Sequence, residues 1–252
     1  GSRDGRIVAI GDDVGRRDDE LDASGRLVVP GFIDIHTHYD AQVLWDPSLS
    51  PSSDQGVTTV VMGNCGFSIA PVRESGRDLL LRTLEKVEDM RLPTLRAGIE
   101  WDFETYGDYL DAIARRQPSI NVGGYVGHTA VRVYTMGEDA TEREATPDEL
   151  AAMRELVADA LTEGALGFST DRAGFIIGAH GKPIPSVAAS QEEVEALMRV
   201  TAEVDRGIVH IAPGDDYRWL YDFQRALGRP VNWSSILAYP PGATTRIDHR
   251  TK

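Results

Sequence analysis

Apolar and polar positions along the chain fall into short apolar runs separated by longer stretches with helical spacing. The runs are "RIVAIG" and "RLVVPG" near the start, then "GFIDIHTH", "GVTTVVMG" (56–63), "INVGGYVGH" (120–128), "GALGFST" (164–170), "GIVHIA" (207–212) and "PVNWSSILAY" (230–239). Each is β-branched or apolar and opens or closes near Gly or Pro, which predicts strands. Between them, Thr146-Pro147-Asp148-Glu149 reads as a capping box with Pro at the first helical position. Leu150, Met153, Val157 and Leu161 follow at helical spacing, and Gly164 ends the run. Ser190 to Glu193 repeats the capping box, with Val194, Leu197, Thr201 and Val204 as the stripe. Asp215 to Leu227 carries Trp219, Leu220, Phe223 and Leu227 on one face, and two more helical patterns occupy 77–90 and 104–116.

Strands alternating with helices predict a parallel sheet with crossover helices. No G-x-G-x-x-G follows a strand, so dinucleotide binding has no support. A barrel gathers functional residues at the C-terminal ends of its strands, and His36, His38, Cys65, His128 and His210 all sit there. The fold expected is therefore α/β, a (β/α)8 TIM-type barrel. Only six βα strands follow residue 32, so the barrel is expected to be partial. An unclosed barrel exposes strand edges. The expectation is a homo-oligomer, or a further stretch of chain that supplies the missing strands.

Composition narrows the function. Hydrophobic residues make up 41% of the 252 positions, which supports a sizeable core. The 40 acidic residues outnumber 26 basic ones, giving a formal charge of −14, against the basic face a nucleic-acid binder needs. No apolar run approaches the roughly 20 residues that span a bilayer, and no basic-then-apolar leader opens the chain. A soluble, cytoplasmic protein without membrane or nucleic-acid partners is expected. Cys65 is the only cysteine, which excludes an internal disulfide.

On a strand, residues two apart face the same way, so His36 and His38 project together into the barrel mouth while Thr37 turns away. Paired neutral imidazoles suit a zinc-class metal. Cys65, in "MGNCGF", reads as a metal-binding thiolate, a buried thiol, or a nucleophile with His128 or His210 as its base. His210 is the best candidate for a third histidine ligand. His128 reads as a ligand, a proton shuttle or a core histidine. Arg132, one helical turn on, reads as a bidentate clamp for a substrate carboxylate or as a surface arginine. With Ser169, in "GALGFST", His128 and Arg132 are the candidates for substrate contact. Asp34 and Asp40 could orient imidazoles, and His180 and His249 read as solvent-facing.

"PGFIDIHTHYD", "GVTTVVMGNCGFSIAP", "YVGHTAVR" and "GALGFST" together resemble the amidohydrolase superfamily, in its N-acyl-D-amino-acid deacylase (D-aminoacylase) branch. The match runs in order from about Asp4 to Ala212. The resemblance implies a metal-dependent barrel over 31–252, with residues 1–30 contributing strands to a small β-sandwich. It implies His36, His38, Cys65 and His210 as ligands of one or two Zn2+ ions, which would polarise an amide carbonyl and bring the pKa of water to about 7. Hydrolysis of N-acyl-D-amino acids or similar small amides follows from it. The general-base aspartate of the family would lie beyond residue 252. The family also places a histidine at the end of the sixth strand, where this chain has Ser234 and Ser235 and the uncharged Asn232 nearby. That departure keeps two alternatives open. One is a hydantoinase- or dihydropyrimidinase-like hydrolase of cyclic amides, and the other is a non-catalytic relative without its metal.

Overall fold

A computed structural model describes residues 2–11, 14–15, 19–214 and 217–234. The chain divides into two compact units, Gly1–Gly31 and Phe32–Lys252. In the first, β1 (Ser2–Arg3) and β2 (Arg6–Ile7) pair antiparallel around a turn. The expected strand "RLVVPG" does not form: Leu27 and Val28 lie in irregular backbone, 90% and 86% exposed.

The second unit is built on six parallel strands: β3 (Phe32–Asp34), β4 (Val57–Met62), β5 (Asn121–Gly127), β6 (Gly167–Asp171), β7 (Ile208–Ala212) and β8 (Val231–Trp233). They lie in chain order across the sheet, as consecutive βα units of a TIM-type barrel do. Among the described residues six of the eight strands of that barrel are present, and β3 and β8 do not pair. The helices are α1 (Arg77–Val87), α2 (Leu92–Gly98), α3 (Tyr106–Arg116), α4 (His128–Met136), α5 (Pro147–Glu163), α6 (Gln191–Glu203) and α7 (Trp219–Leu227). Their apolar stripes meet the sheet: Met153, Val157 and Leu161 of α5 and Val194, Leu197 and Met198 of α6 are buried beside Val126, Phe168 and Val209.

The capping box at Thr146 is complete, its hydroxyl accepting from the Glu149 N–H while Glu149 accepts from the Thr146 N–H. The one at Ser190 is half made. Its hydroxyl accepts from the Glu193 N–H, but the Glu193 carboxylate turns inward to other partners. The strand that leads to His36, β3, has three residues, with Phe32 and Ile33 each 63% exposed, and among the described residues β4 is its single neighbour.

The register sets the functional row. Gly127 pairs with Ser169, Ser169 with His210, and His210 with Asn232, so four adjacent strands place these residues side by side.

Candidate metal centre

The segment after β3 is pinned to β4 by Thr37, whose N–H and hydroxyl both donate to the Val61 carbonyl at 3.0 and 2.8 Å. With Thr37 buried against β4, its neighbours His36 and His38 take the opposite face. Asp34 grips the main chain rather than a ring, accepting from the His36 N–H at 3.1 Å. Asp40 is buried and accepts from the Gly63 N–H at 3.0 Å, tying this segment to the turn that follows β4.

That turn, Gly63–Gly66, carries Cys65. Gly63 has φ +74°, and a Cβ there would collide with the Tyr125 backbone, so only glycine fits. Cys65 itself is left-handed, at φ 54° and ψ 25°, an uncommon conformation for a residue with a side chain. Ser169 holds the turn closed: its hydroxyl donates to the Gly63 carbonyl and accepts from the Gly66 N–H at 3.1 Å. Asn64 adds two bonds from its side-chain amide, to the Thr37 and Val61 carbonyls at 3.2 and 2.9 Å.

Three of the four expected ligands converge. The ligand atoms of His36, Cys65 and His210 lie within 4.8 Å of one another. Cys65 Sγ is 3.3 Å from His36 Nε2 and 3.9 Å from His210 Nε2. His38 lies beside this trio rather than in it, its ring 5.3 Å from that of His36 and 6.2 Å from Phe67. The His38 Nδ1 is buried without a hydrogen bond, and Glu88 Oε1 stands 3.6 Å away. Ser234, where the resemblance calls for histidine, brings its hydroxyl to 3.0 Å from His210 Nε2 and 3.7 Å from Cys65 Sγ. Asn232 contacts the other ring nitrogen of His210 at 3.2 Å. Ser235 and His249 lie outside the described residues.

The electrostatics fit a divalent cation. Burial lowers the His36 imidazole below its ordinary value, and takes His38 down to about 4 and His210 to about 3, so all three imidazoles are neutral at pH 7, the form that binds metal. Burial pushes the Cys65 thiol up to about 12, helped by the nearby Asp171 carboxylate. A thiol so placed is a poor free nucleophile, and becomes a thiolate only when a cation compensates it. Asp40, Asp171 and Glu88 are each raised to about 7 by burial. The surroundings are thus short of positive charge, and the donors are those that zinc-class metals take.

The proposed substrate contacts sit elsewhere than expected. Arg132 is neither a surface arginine nor open to a substrate, being wholly buried. Its Nη1 donates to both Glu193 oxygens at 2.5 and 2.6 Å, and Nε and Nη2 donate to the Ala140 and Arg143 carbonyls. His128, also wholly buried, bridges Thr170 Oγ1 at 2.8 Å and Glu193 Oε1 at 2.9 Å. A substrate carboxylate would have to displace Glu193 to reach either. Ser169 is buried as the strut of the Cys65 turn. His180 is exposed, as expected. Sequence reasoning missed Glu193, Glu88 and Asp171. Glu193 was hidden by its place in a capping box, and Glu88, just past the end of α1, carries no local signal.

A profile described as the amidohydrolase family matches residues 19–250. The chain belongs to the amidohydrolase family. It is 36% identical over 244 residues to an N-acyl-D-glutamate deacylase of Alcaligenes xylosoxydans xylosoxydans, covering 95% of this chain and 45% of that one. Among solved structures it is similar to a D-aminoacylase described by its binuclear metal centre, with one-metal activation and second-metal attenuation. That likeness has a TM-score of 0.62 and 34% identity, over 80% of this chain and 39% of the other. It is likewise similar to the N-acyl-D-glutamate deacylase of Bordetella bronchiseptica, complexed with zinc and a phosphonate mimic of the tetrahedral intermediate. There the TM-score is 0.63 at 31% identity, covering 83% of this chain and 40% of the other. The chain spans about a third to under a half of the curated deacylases it matches. No helix among the described residues is long and apolar enough to cross a membrane.

Proposed function

We propose that this chain forms the metal-binding half of a hydrolase that cleaves the amide bond of N-acyl-D-amino acids. The observation that carries the reading is the convergence of His36 after β3, Cys65 in the turn after β4 and His210 in β7 within 4.8 Å. The named deacylases among its relatives support the substrate class.

His36, Cys65 and His210 would hold the cation, with zinc the proposed ion and His38 beside them. Such an ion supplies Lewis-acid polarisation of the amide carbonyl and acidifies water. The protein's own share is positional. Thr37 and Asp40 fix the direction of the two imidazoles, and Ser169 fixes the turn that aims Cys65. Cys65, whose thiol is raised by burial, would serve as a thiolate when a cation is bound and would then count as one negative charge in the site. His128 and Arg132 act by bracing the ends of β6 and α6 through Glu193, with Thr170 next to the Cys65 turn.

The test is turnover by the full-length, zinc-loaded protein on N-acyl-D-amino acids, their L-enantiomers, hydantoins and dihydropyrimidines. Hydrolysis of the D-series with release of the free amino acid supports the reading. Turnover confined to the cyclic compounds refutes the substrate assignment. A protein that binds zinc and hydrolyses nothing is the non-catalytic relative.

A further inference from the structure

Tetrahedral zinc sites have Zn–N and Zn–O bonds of about 2.0–2.2 Å and Zn–S bonds of about 2.3 Å. Neighbouring donors in such a site therefore stand about 3.3–3.6 Å apart. The separations around Cys65 scatter about that range, within about 0.3 Å of its limits. Sγ is 3.3 Å from His36 Nε2, 3.9 Å from His210 Nε2 and 3.7 Å from Ser234 Oγ, and Ser234 Oγ is 3.0 Å from His210 Nε2. The Ser234 hydroxyl thus meets two members of the trio at donor-to-donor distance, on the nitrogen of His210 that faces Cys65. Asn232 engages the opposite nitrogen of that ring at 3.2 Å. The amide nitrogen is the atom placed there, and it is the flipped amide, presenting its oxygen to Nδ1, that would fix the tautomer leaving Nε2 unprotonated. His38 lies outside the set.

We infer that Ser234 is the fourth donor of a one-ion site whose other donors are His36, Cys65 and His210. The inference rests on the proposed metal centre and adds the ligand set and stoichiometry. A neutral hydroxyl is a weak donor compared with imidazole or thiolate, so it exchanges readily. Three strong donors plus one exchangeable position is the composition of a catalytic zinc site, whereas four strong donors close it. Serine here keeps that position available to a substrate oxygen and, for the same reason, lowers affinity for the ion.

The experiment measures Zn2+ affinity by chelator competition and the Co2+ absorption spectrum for the full-length protein and its Ser234→Ala and Ser234→His variants. The expected results are one equivalent of metal, binding ~10-fold weaker in S234A and ~10-fold tighter in S234H, and a changed Co2+ band in each. Circular dichroism melts identify any variant that misfolds, and the alanine variant, which only removes an oxygen, carries the test if the histidine one does. Unchanged affinity and spectrum in S234A overturn the assignment of Ser234 while leaving the metal centre standing. Two equivalents of tightly bound metal overturn the one-ion set. Failure of the unmodified protein to bind either metal overturns both the assignment and the centre itself.

Discussion

Replacing Glu193 by Gln should destabilise the protein more than any ordinary surface change, because it strips the counter-charge from a wholly buried arginine. Arg132 and Glu193 are joined by two short charge-assisted bonds of 2.5 and 2.6 Å, and both are out of solvent. Besides Glu193, Arg132 donates to main-chain carbonyls, which solvate the guanidinium without neutralising it. Breaking a buried pair from one side costs about 3–5 kcal/mol. At about 2–4 °C per kcal/mol for chains of this size, the melting temperature should fall by about 6–20 °C. Urea denaturation followed by circular dichroism gives the free energy directly. A companion variant, Arg132→Met with Glu193→Met, removes both charges and should recover most of the loss, since apolar replacement of a buried pair is often neutral. A loss below about 1 kcal/mol in the Gln variant, within the range of exposed ion pairs, would refute the claim that this pair is a desolvated brace.

The same carboxylate sets an acid limit. Despite its burial, bonds from His128 and Arg132 hold Glu193 at about 2 against an ordinary value of 4.5. Its contribution is therefore whole above pH 4.5 and should be lost between 4.5 and about 2, seen as a fall in melting temperature that the Arg132→Met, Glu193→Met variant lacks. Ser169→Ala leaves the Gly63 carbonyl and Gly66 N–H without their strut, which should cost about 1–3 kcal/mol and weaken the Co2+–thiolate charge-transfer band. An unaltered band would show that Ser169 does not position Cys65. Gly127→Ala puts a Cβ 2.7 Å from the Gly66 carbonyl oxygen and the Ser68 nitrogen. The clash should cost about 1–3 kcal/mol by overpacking, and a wild-type melting temperature would contradict it. Glu88→Ala removes the carboxylate opposite the bare Nδ1 of His38 and, with His38 outside the donor set, should leave metal affinity unchanged, whereas a ~10-fold loss would draw His38 into the site. Equal affinity in a chelator titration would assign His38 no part in binding.

The sheet was legible because its strands carry their own punctuation. Gly and Pro bracket "GVTTVVMG" and "GIVHIA", and these became β4 and β7 within a residue or so. The helix opening at Thr146 was equally plain, since all its cap bonds are local. Contacts between distant segments were not legible. Glu193 and Arg132 are 61 positions apart, and nothing near either one signals the other. Thus a glutamate that fits a capping box serves the core instead, and an arginine that suits a carboxylate clamp is already occupied. The helix α2, with Pro93 in its first turn, lies within the long gap before β5 that the periodicity left partly unassigned. At the site, alternation along a strand was enough to set His36 and His38 on one face. It could not say that His38 stands off from the trio, because that depends on how the chain bends after β3. The serine found in place of a strand-six histidine read as a lost ligand. Its distances to His210 and Cys65 needed the register of β7 with β8.

X-ray absorption at the edge of the bound metal reads which atoms of His36, Cys65 and His210 hold it. The metal should be surrounded by one sulfur at about 2.3 Å and two imidazole nitrogens at about 2.0–2.1 Å, the sulfur vanishing in Cys65→Ser. A shell of oxygen and nitrogen alone in the unmodified protein, or a sulfur that survives that substitution, would contradict it.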